Sequence, residues 1–147
     1  MLVVERVAAL HGVDLFAGVP GRVLAAVAAT AEEVTVEAGS TFIEHGALED
    51  CLYVVVSGRV RVHRGDRTLV ELGAGSAVGE LAVLVPQPRT ASVTTLEPTL
   101  LLRVRKVVLD ELLADRPELA SGVIAALAGR LRAGAEHAAA DTPATDG

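Results

Sequence analysis

The stretch LYVVVSGRVRVHRGDRTLVEL, residues 52–72, decides the fold class of this chain. It opens with a continuous apolar run, which is typical of a buried strand. Val60 and Val62 then alternate with arginines, as in a strand with one face in the core and one in solvent. The Gly-Asp pair at 65–66 suits a two-residue hairpin turn, and a return strand follows over 68–72. The stretch therefore predicts antiparallel strands joined by tight turns.

Similar short segments occur on both sides of this stretch. Alternating or β-branched residues predict further strands over residues 34–36, 41–43, 91–94 and 100–105. The total is about seven or eight strands with turn signals roughly every 8–12 residues, which is the pattern of a closed antiparallel barrel or jelly roll. Because no helix of useful length separates the strands, a parallel doubly wound sheet is disfavoured.

Helical periodicity is confined to the two ends of the chain. Apolar residues recur at helical spacing over residues 4–10 and 22–31, and again over 106–114. A longer C-terminal helix follows, and its apolar stripe consists of Leu119, Val123, Leu127 and Leu131. Residues 138–147 are predicted to be a disordered tail, so the folded domain is expected to span residues 1–137. The predicted fold is mainly β, an antiparallel roll with flanking helices.

Composition narrows the possible functions. The chain has 147 residues, 51% of them hydrophobic, which is enough for one core and too short for two ordinary domains. Its net charge of −6 argues against binding to nucleic acid, and the three aromatic residues offer no platform for stacking bases. The single cysteine, Cys51, and four scattered histidines predict neither a disulfide nor a metal site. We expect no membrane span, and the absence of a signal peptide predicts a cytoplasmic protein.

The residues that carry chemistry lie in the stretch GAGSAVGELAVLVPQPRTASV, residues 73–93. A short helix starting at Gly79 would present free backbone N–H groups to an anion. Arg89 supplies a guanidinium, which suits bidentate contact with phosphate oxygens. Glu80 would repel a phosphate but can accept a hydrogen bond from a sugar hydroxyl. Together these residues predict a site for a sugar phosphate with a single negative charge.

This segment resembles a known cassette. Residues 78–83 read VGELAV, and after five residues 89–95 read RTASVTT. Both the residue types and the spacing from glutamate to arginine are similar to the phosphate-binding cassette of the cyclic nucleotide-binding domain family. The resemblance covers roughly residues 10–135. It implies a β-roll that is flanked by helices and holds the nucleotide inside.

The resemblance also implies roles for individual residues. Glu80 matches the glutamate that binds the ribose 2′-hydroxyl, and Arg89 matches the arginine that binds the cyclic phosphate. Thr90 matches a position whose side chain reaches the phosphate or the base. The backbone that approaches ribose and phosphate is matched by Gly79, Leu81 and Ala82. In the family the C-terminal helix closes over the base, and the candidates for this lid contact are Leu127, Arg130 and Leu131.

Three departures from the family pattern occur, the first of which is His45, where a histidine is unusual. Glu49 stands where a glycine is usual in an earlier motif, and Pro86 stands where a glycine is common at the tip of the cassette. We expect these departures to change the shape of the loops rather than ligand binding.

The resulting hypothesis is a cyclic nucleotide sensor that is not an enzyme and has no catalytic residue and no cofactor besides its ligand. Cyclic AMP is favoured over cyclic GMP, although Thr90 is compatible with both. The partner is expected to be an effector protein or a second copy bound through the C-terminal helix. A transcription factor of the catabolite activator type would need an output domain that this chain lacks, and the sequence leaves open whether the chain belongs to a larger protein.

Three alternatives accompany this hypothesis. Glu80 and Arg89 could form an internal salt bridge in an empty pocket. The chain could be an interaction domain that has kept the roll but binds no nucleotide. The glycines at 73, 75 and 79 are spaced somewhat like a dinucleotide fingerprint, but no long helix follows them.

Overall fold

The structure of the chain, a computed structural model, describes the backbone of residues 1–141 and the side chains of residues 1–135. The helices are α1 (Val3–His11), α2 (Gly21–Thr30), α3 (Lys106–Asp115) and α4 (Pro117–Asp141), and a short 3-10 helix lies at Asp14–Phe16. The strands are β1 (Glu32–Val36), β2 (Thr41–Ile43), β3 (Leu48–Glu49), β4 (Cys51–Ser57), β5 (Val60–Arg64), β6 (Arg67–Leu72), β7 (Ala77–Val78), β8 (Gln87–Pro88), β9 (Ser92–Thr95) and β10 (Thr99–Arg105).

The strands form a roll of antiparallel sheets. One sheet has the order β1-β10-β4-β7 and the second has the order β2-β9-β5-β6, while β3 and β8 form a separate two-stranded ribbon. The buried residues between the two large sheets are Ile43, Tyr53, Val55, Val60, Val93 and Leu101. The predicted antiparallel, jelly-roll-like β-roll with flanking helices is confirmed.

Strand β4 is apolar over residues 52–56, because both of its faces are largely buried there. Leu52 and Val54 pack against the helices, whereas Tyr53 and Val55 face the interior of the roll. Strand β10 divides its side chains in the same way, with Leu102 on the helix side. Alternation of side chains along a strand produces this arrangement, so β4 and β10 form a wall shared by two cores.

The helices from both ends of the chain pack together on the outer side of this wall. Leu10, Phe16 and Leu24 from the N-terminal part are fully buried with Leu109 of α3 and Leu119 of α4. Helix α4 comes so close to the N-terminal segment that a Cβ atom on Gly122 would lie 2.6 Å from the Val19 side chain. The C-terminal helix is thereby fixed at its start and passes towards the site described below.

The predicted helices and the longer strands all occur, but three short strands were missed. Strands β3, β7 and β8 have two residues each, which is too few to show any periodicity. Helix α4 continues to Asp141, into the segment predicted to be a disordered tail, and residues 142–147 lie outside the described part of the chain. Within that described part, no helix combines the length and the apolar character that crossing a membrane requires.

Candidate functional site

A cavity of about 410 Å³ opens between the turn that follows β7 and the end of β8. Its lining consists of Gly79, Glu80, Leu81, Ala82, Gln87, Pro88, Arg89 and Thr90. All six residues that the sequence analysis assigned to the ligand are therefore brought together around one space. Gln87 and Pro88 line it too and were not predicted.

The chain enters this cavity through a turn rather than through the predicted short helix. Val83 N–H donates to the Gly79 carbonyl at 3.0 Å, and Val85 N–H donates to the Leu81 carbonyl at 2.9 Å. Between them, Leu84 bonds back only three residues, so no regular helical ladder develops. Pro86 explains the early stop, because it has no N–H to donate and disfavours helical geometry in the residue before it.

Gly79 has a backbone conformation and surroundings that only glycine tolerates. Its φ of +88° lies in the left-handed region. A Cβ atom there would lie 2.6 Å from Arg89 Nη1 and would also collide with the Cys51 carbonyl oxygen. The absence of a side chain lets the guanidinium of Arg89 lie against the backbone.

The backbone of Arg89 is held by the turn that precedes β3. Its N–H donates to the Ala47 carbonyl at 2.9 Å, and its carbonyl accepts from Gly46 N–H at 2.8 Å. Arg89 directly follows β8, so the pairing of β8 with β3 sets its position. The sequence analysis did not detect this ribbon, although it determines where the arginine lies.

The guanidinium of Arg89 is buried and only partly satisfied. Its side chain is 8% exposed. Nε donates to a Glu49 carboxylate oxygen at 3.2 Å, and Nη2 donates to the Cys51 carbonyl at 2.8 Å. Among the described residues no acceptor bonds to Nη1, the nitrogen next to Gly79 on the cavity lining. One nitrogen thus remains available to a ligand.

Glu80 connects the cavity to helices from both ends of the chain. Its carboxylate accepts from Arg130 Nη2 of α4 at 2.6 Å and from the backbone N–H of Leu15 at 3.3 Å. Its side chain is 21% exposed. Glu80 and Arg89 are each paired with a different residue, so the alternative of a salt bridge between these two is wrong.

The three candidate lid residues of α4 have different surroundings. Arg130 bonds to Glu80, and Leu127 packs, partly buried, against the helical core. Leu131 is 77% exposed. Their predicted contact with a base stays a prediction.

A smaller apolar cavity of about 150 Å³ adjoins the first one inside the roll. It shares Gly79, Arg89 and Thr90 with the larger cavity. The rest of its lining is apolar and consists of Ile43, Val62, Val78, Ala91 and Val93. A polar, charged space thus lies directly beside an apolar one.

Cys51 contributes its backbone rather than its thiol. Burial raises the pKa of the Cys51 thiol, and the nearby Asp50 carboxylate raises it further. The thiol therefore stays protonated near neutral pH, while its carbonyl holds Arg89 Nη2.

The fold and the cavity together define a β-roll domain with a pocket that contains a buried arginine. A model of the family described as "Cyclic nucleotide-binding domain" matches residues 33–116. The chain belongs to this family. The family match confirms the resemblance that the cassette carried.

Similar proteins include regulators and their isolated domains. The "CRP-like cAMP-activated global transcriptional regulator" of Mycobacterium tuberculosis is 32% identical over 123 residues, which is 80% of this chain and 55% of that protein. The N-terminal domain of a transcriptional regulator from Streptomyces coelicolor is 36% identical with a TM-score of 0.80, covering 84% of this chain and 92% of that one. The catabolite activator protein of Thermus thermophilus is 29% identical with a TM-score of 0.68, covering 85% and 61%. The chain thus spans about half the length of the mycobacterial regulator.

Proposed function

We propose that this chain is a sensor that binds a 3′,5′-cyclic nucleotide, with cyclic AMP favoured over cyclic GMP, and that it is not an enzyme. The observation that carries the proposal is the guanidinium of Arg89, buried beside Gly79 with Nη1 free among the described residues. A buried cation with an unused donor facing a cavity is suited to a phosphate. The regulatory domain of Toxoplasma gondii PKA, solved with cyclic AMP, is 28% identical with a TM-score of 0.69, over 75% of this chain and 44% of that one.

The two cavities suit the parts of such a ligand. The phosphate would accept hydrogen bonds from Arg89, and the ribose 2′-hydroxyl would donate to Glu80. The adjoining apolar cavity offers a place for part of the flat base, whose faces favour apolar contact. Thr90, at the border of both cavities, would contact the phosphate or the base.

Glu80 supplies the connection from ligand to output. Its carboxylate is bonded to Arg130 of α4 at 2.6 Å. A ribose hydroxyl arriving at the same carboxylate would change the geometry of that pair, and α4 would move with it. Closure of α4 over the base is then a shift between two positions, driven by the difference in ligand affinity between them.

Two outputs fit this arrangement. Helix α4 exposes Ile124 and Leu131, at 65% and 77%, so it offers apolar contacts to a second copy or to an effector protein. The mycobacterial relative extends well beyond the matched part, so the output could equally reside in additional domains. We place the sensor in the cytoplasm as part of this proposal.

One observation favours a second function, an interaction domain that binds no nucleotide. The Glu49 carboxylate already neutralises Arg89, so the phosphate site carries its own anion. A titration separates the two functions.

Isothermal titration calorimetry with cyclic AMP, cyclic GMP and 5′-AMP tests the proposal. We expect one-to-one binding of a cyclic nucleotide with a dissociation constant of about tens of nanomolar to micromolar. Linear 5′-AMP should bind far more weakly, because its phosphate carries roughly −1.5 to −2 charge. Absence of heat and of any thermal shift at millimolar cyclic AMP and cyclic GMP would favour the interaction domain.

Glu80→Gln should selectively impair recognition of the ribose. The amide keeps an acceptor but loses the charge, so cyclic AMP should bind about 5- to 30-fold more weakly, the equivalent of about 1–2 kcal/mol. The variant should lose most of the preference for cyclic AMP over its 2′-deoxy analogue. Glu71→Gln, whose partner Arg59 lies on the β5–β6 hairpin, is the matched control. Equal losses for both ligands would contradict the ribose assignment and leave that of the phosphate intact.

A further inference from the structure

Glu49 is a charged residue of the phosphate site that the proposed function does not use. Its carboxylate lies 3.2 Å from Arg89 Nε, the buried cation to which we assign the phosphate. The side chain of Glu49 is 30% exposed, whereas that of Arg89 is 8% exposed. The carboxylate therefore reaches into the site from the solvent side.

The charged side chains of the site balance one another in two ion pairs. Arg89 is paired with Glu49, and Glu80 is paired with Arg130. A cyclic phosphate would add one negative charge to a cluster that is already formally neutral. Carboxylate and phosphate would then compete for the same guanidinium, and like charges at such short range repel each other.

The structure also indicates which partner can yield. Arg89 is fixed by two backbone hydrogen bonds to the turn that precedes β3 and by the bond from Nη2 to the Cys51 carbonyl. The Glu49 side chain is partly exposed, so a rotation about its side-chain bonds would carry the carboxylate into water. The carboxylate can leave while the guanidinium stays in place.

We propose that Glu49 is an affinity-determining residue of this site, an internal counter-ion that the phosphate of the ligand must displace or tolerate. The inference rests on the proposed function, since it concerns the same site. Glu49 pairs with the guanidinium, and it raises the ligand concentration at which the sensor responds.

Glu49→Gln isolates the charge from the geometry. The amide oxygen can still accept a hydrogen bond from Arg89 Nε, so the arginine keeps its orientation. Asp50→Asn is the matched control, because it removes the same charge from the adjacent residue, whose carboxylate accepts a long contact from the Cys51 thiol rather than from Arg89.

The experiment is calorimetric titration of the wild-type chain and both variants with cyclic AMP, at low and at high ionic strength. We expect Glu49→Gln to bind about 3- to 30-fold more tightly than the wild type, and Asp50→Asn to stay within about twofold. The gain should shrink as salt is added, because salt screens a partly exposed charge.

Two results would overturn the inference. Unchanged or weaker binding by Glu49→Gln would show that the carboxylate does not oppose the ligand, and weaker binding would make it an orienting residue instead. An equal gain in Asp50→Asn would reduce the effect to net charge. Both results require measurable binding by the wild type, whereas failure of the wild type and all variants to bind any cyclic nucleotide refutes the proposed function itself.

Discussion

Arg89→Ala is expected to weaken the binding of every cyclic nucleotide by about 30- to several-thousand-fold. Removal of one partner from a desolvated, charge-assisted pair costs roughly 2–5 kcal/mol, because the remaining charge loses its compensation. Arg89 is the cation that lines both cavities, and its side chain is 8% exposed. Cyclic AMP, cyclic GMP and 2′-deoxy cyclic AMP should all lose a similar factor, since they share the phosphate.

The variant also removes the partner of Glu49, so its fold must be checked. Thermal unfolding without ligand measures the loss of stability that the substitution causes. Arg89→Gln retains a hydrogen-bond donor and should therefore lose less stability. Arg61→Ala is the matched control, because Arg61 donates to Thr68 within the exposed β5–β6 hairpin. An Arg89→Ala variant that folds and keeps wild-type affinity would remove the phosphate assignment.

Gly79→Ala is expected to lower both stability and ligand affinity more than any other alanine substitution at a glycine of this segment. A left-handed conformation costs a residue with a side chain about 1–2 kcal/mol. The new Cβ would additionally collide with the Cys51 carbonyl and with Arg89 Nη1, the nitrogen assigned to the phosphate. We expect a total loss of about 3 kcal/mol or more in the free energy of unfolding and at least a tenfold loss of affinity.

Gly75→Ala separates the two causes. Gly75 has nearly the same φ, +90° against +88°, but nothing lies within 4 Å of its Cβ position. Chemical denaturation gives the loss in the free energy of unfolding for each variant. The loss in Gly75→Ala reflects the left-handed conformation alone, and the extra loss in Gly79→Ala reflects the collision. Equal destabilisation of the two variants, with affinity retained, would show that the contact with Arg89 is unimportant.

The fold was predictable from the sequence wherever the pattern was long enough to have a period. The valines of the β4–β5 region and the apolar stripe that begins at Leu119 indicated the correct elements. Six of the eight lining residues were predicted, because a cassette of fixed spacing is local in the chain.

The pairings within the site were not predictable, because they join distant parts of the chain. Arg130 reaches Glu80 across 50 residues, and Arg89 reaches Glu49 across 40. The only indication in the sequence that Glu49 has a special role is that it stands in place of a usual glycine, and this position predicts only a change in loop shape. The short helix predicted to start at Gly79 and to end before Pro86 is a hydrogen-bonded turn instead, because Pro86 leaves room for too few helical hydrogen bonds.

The burial of β4 and β10 on both faces limits which amino-acid substitutions the fold can accept. A substitution at Tyr53 or Val55 alters the lining of the roll, and one at Leu52 or Val54 alters the bed of the helices. Neighbouring residues of one strand thus pack in different cores. A second substitution that compensates for a change at one of them must therefore lie in a different part of the chain from one that compensates for its neighbour. Strand β6 is exposed along most of its length, so its residues are not constrained by packing on two sides. New surface properties can accumulate there while the central strands stay nearly fixed.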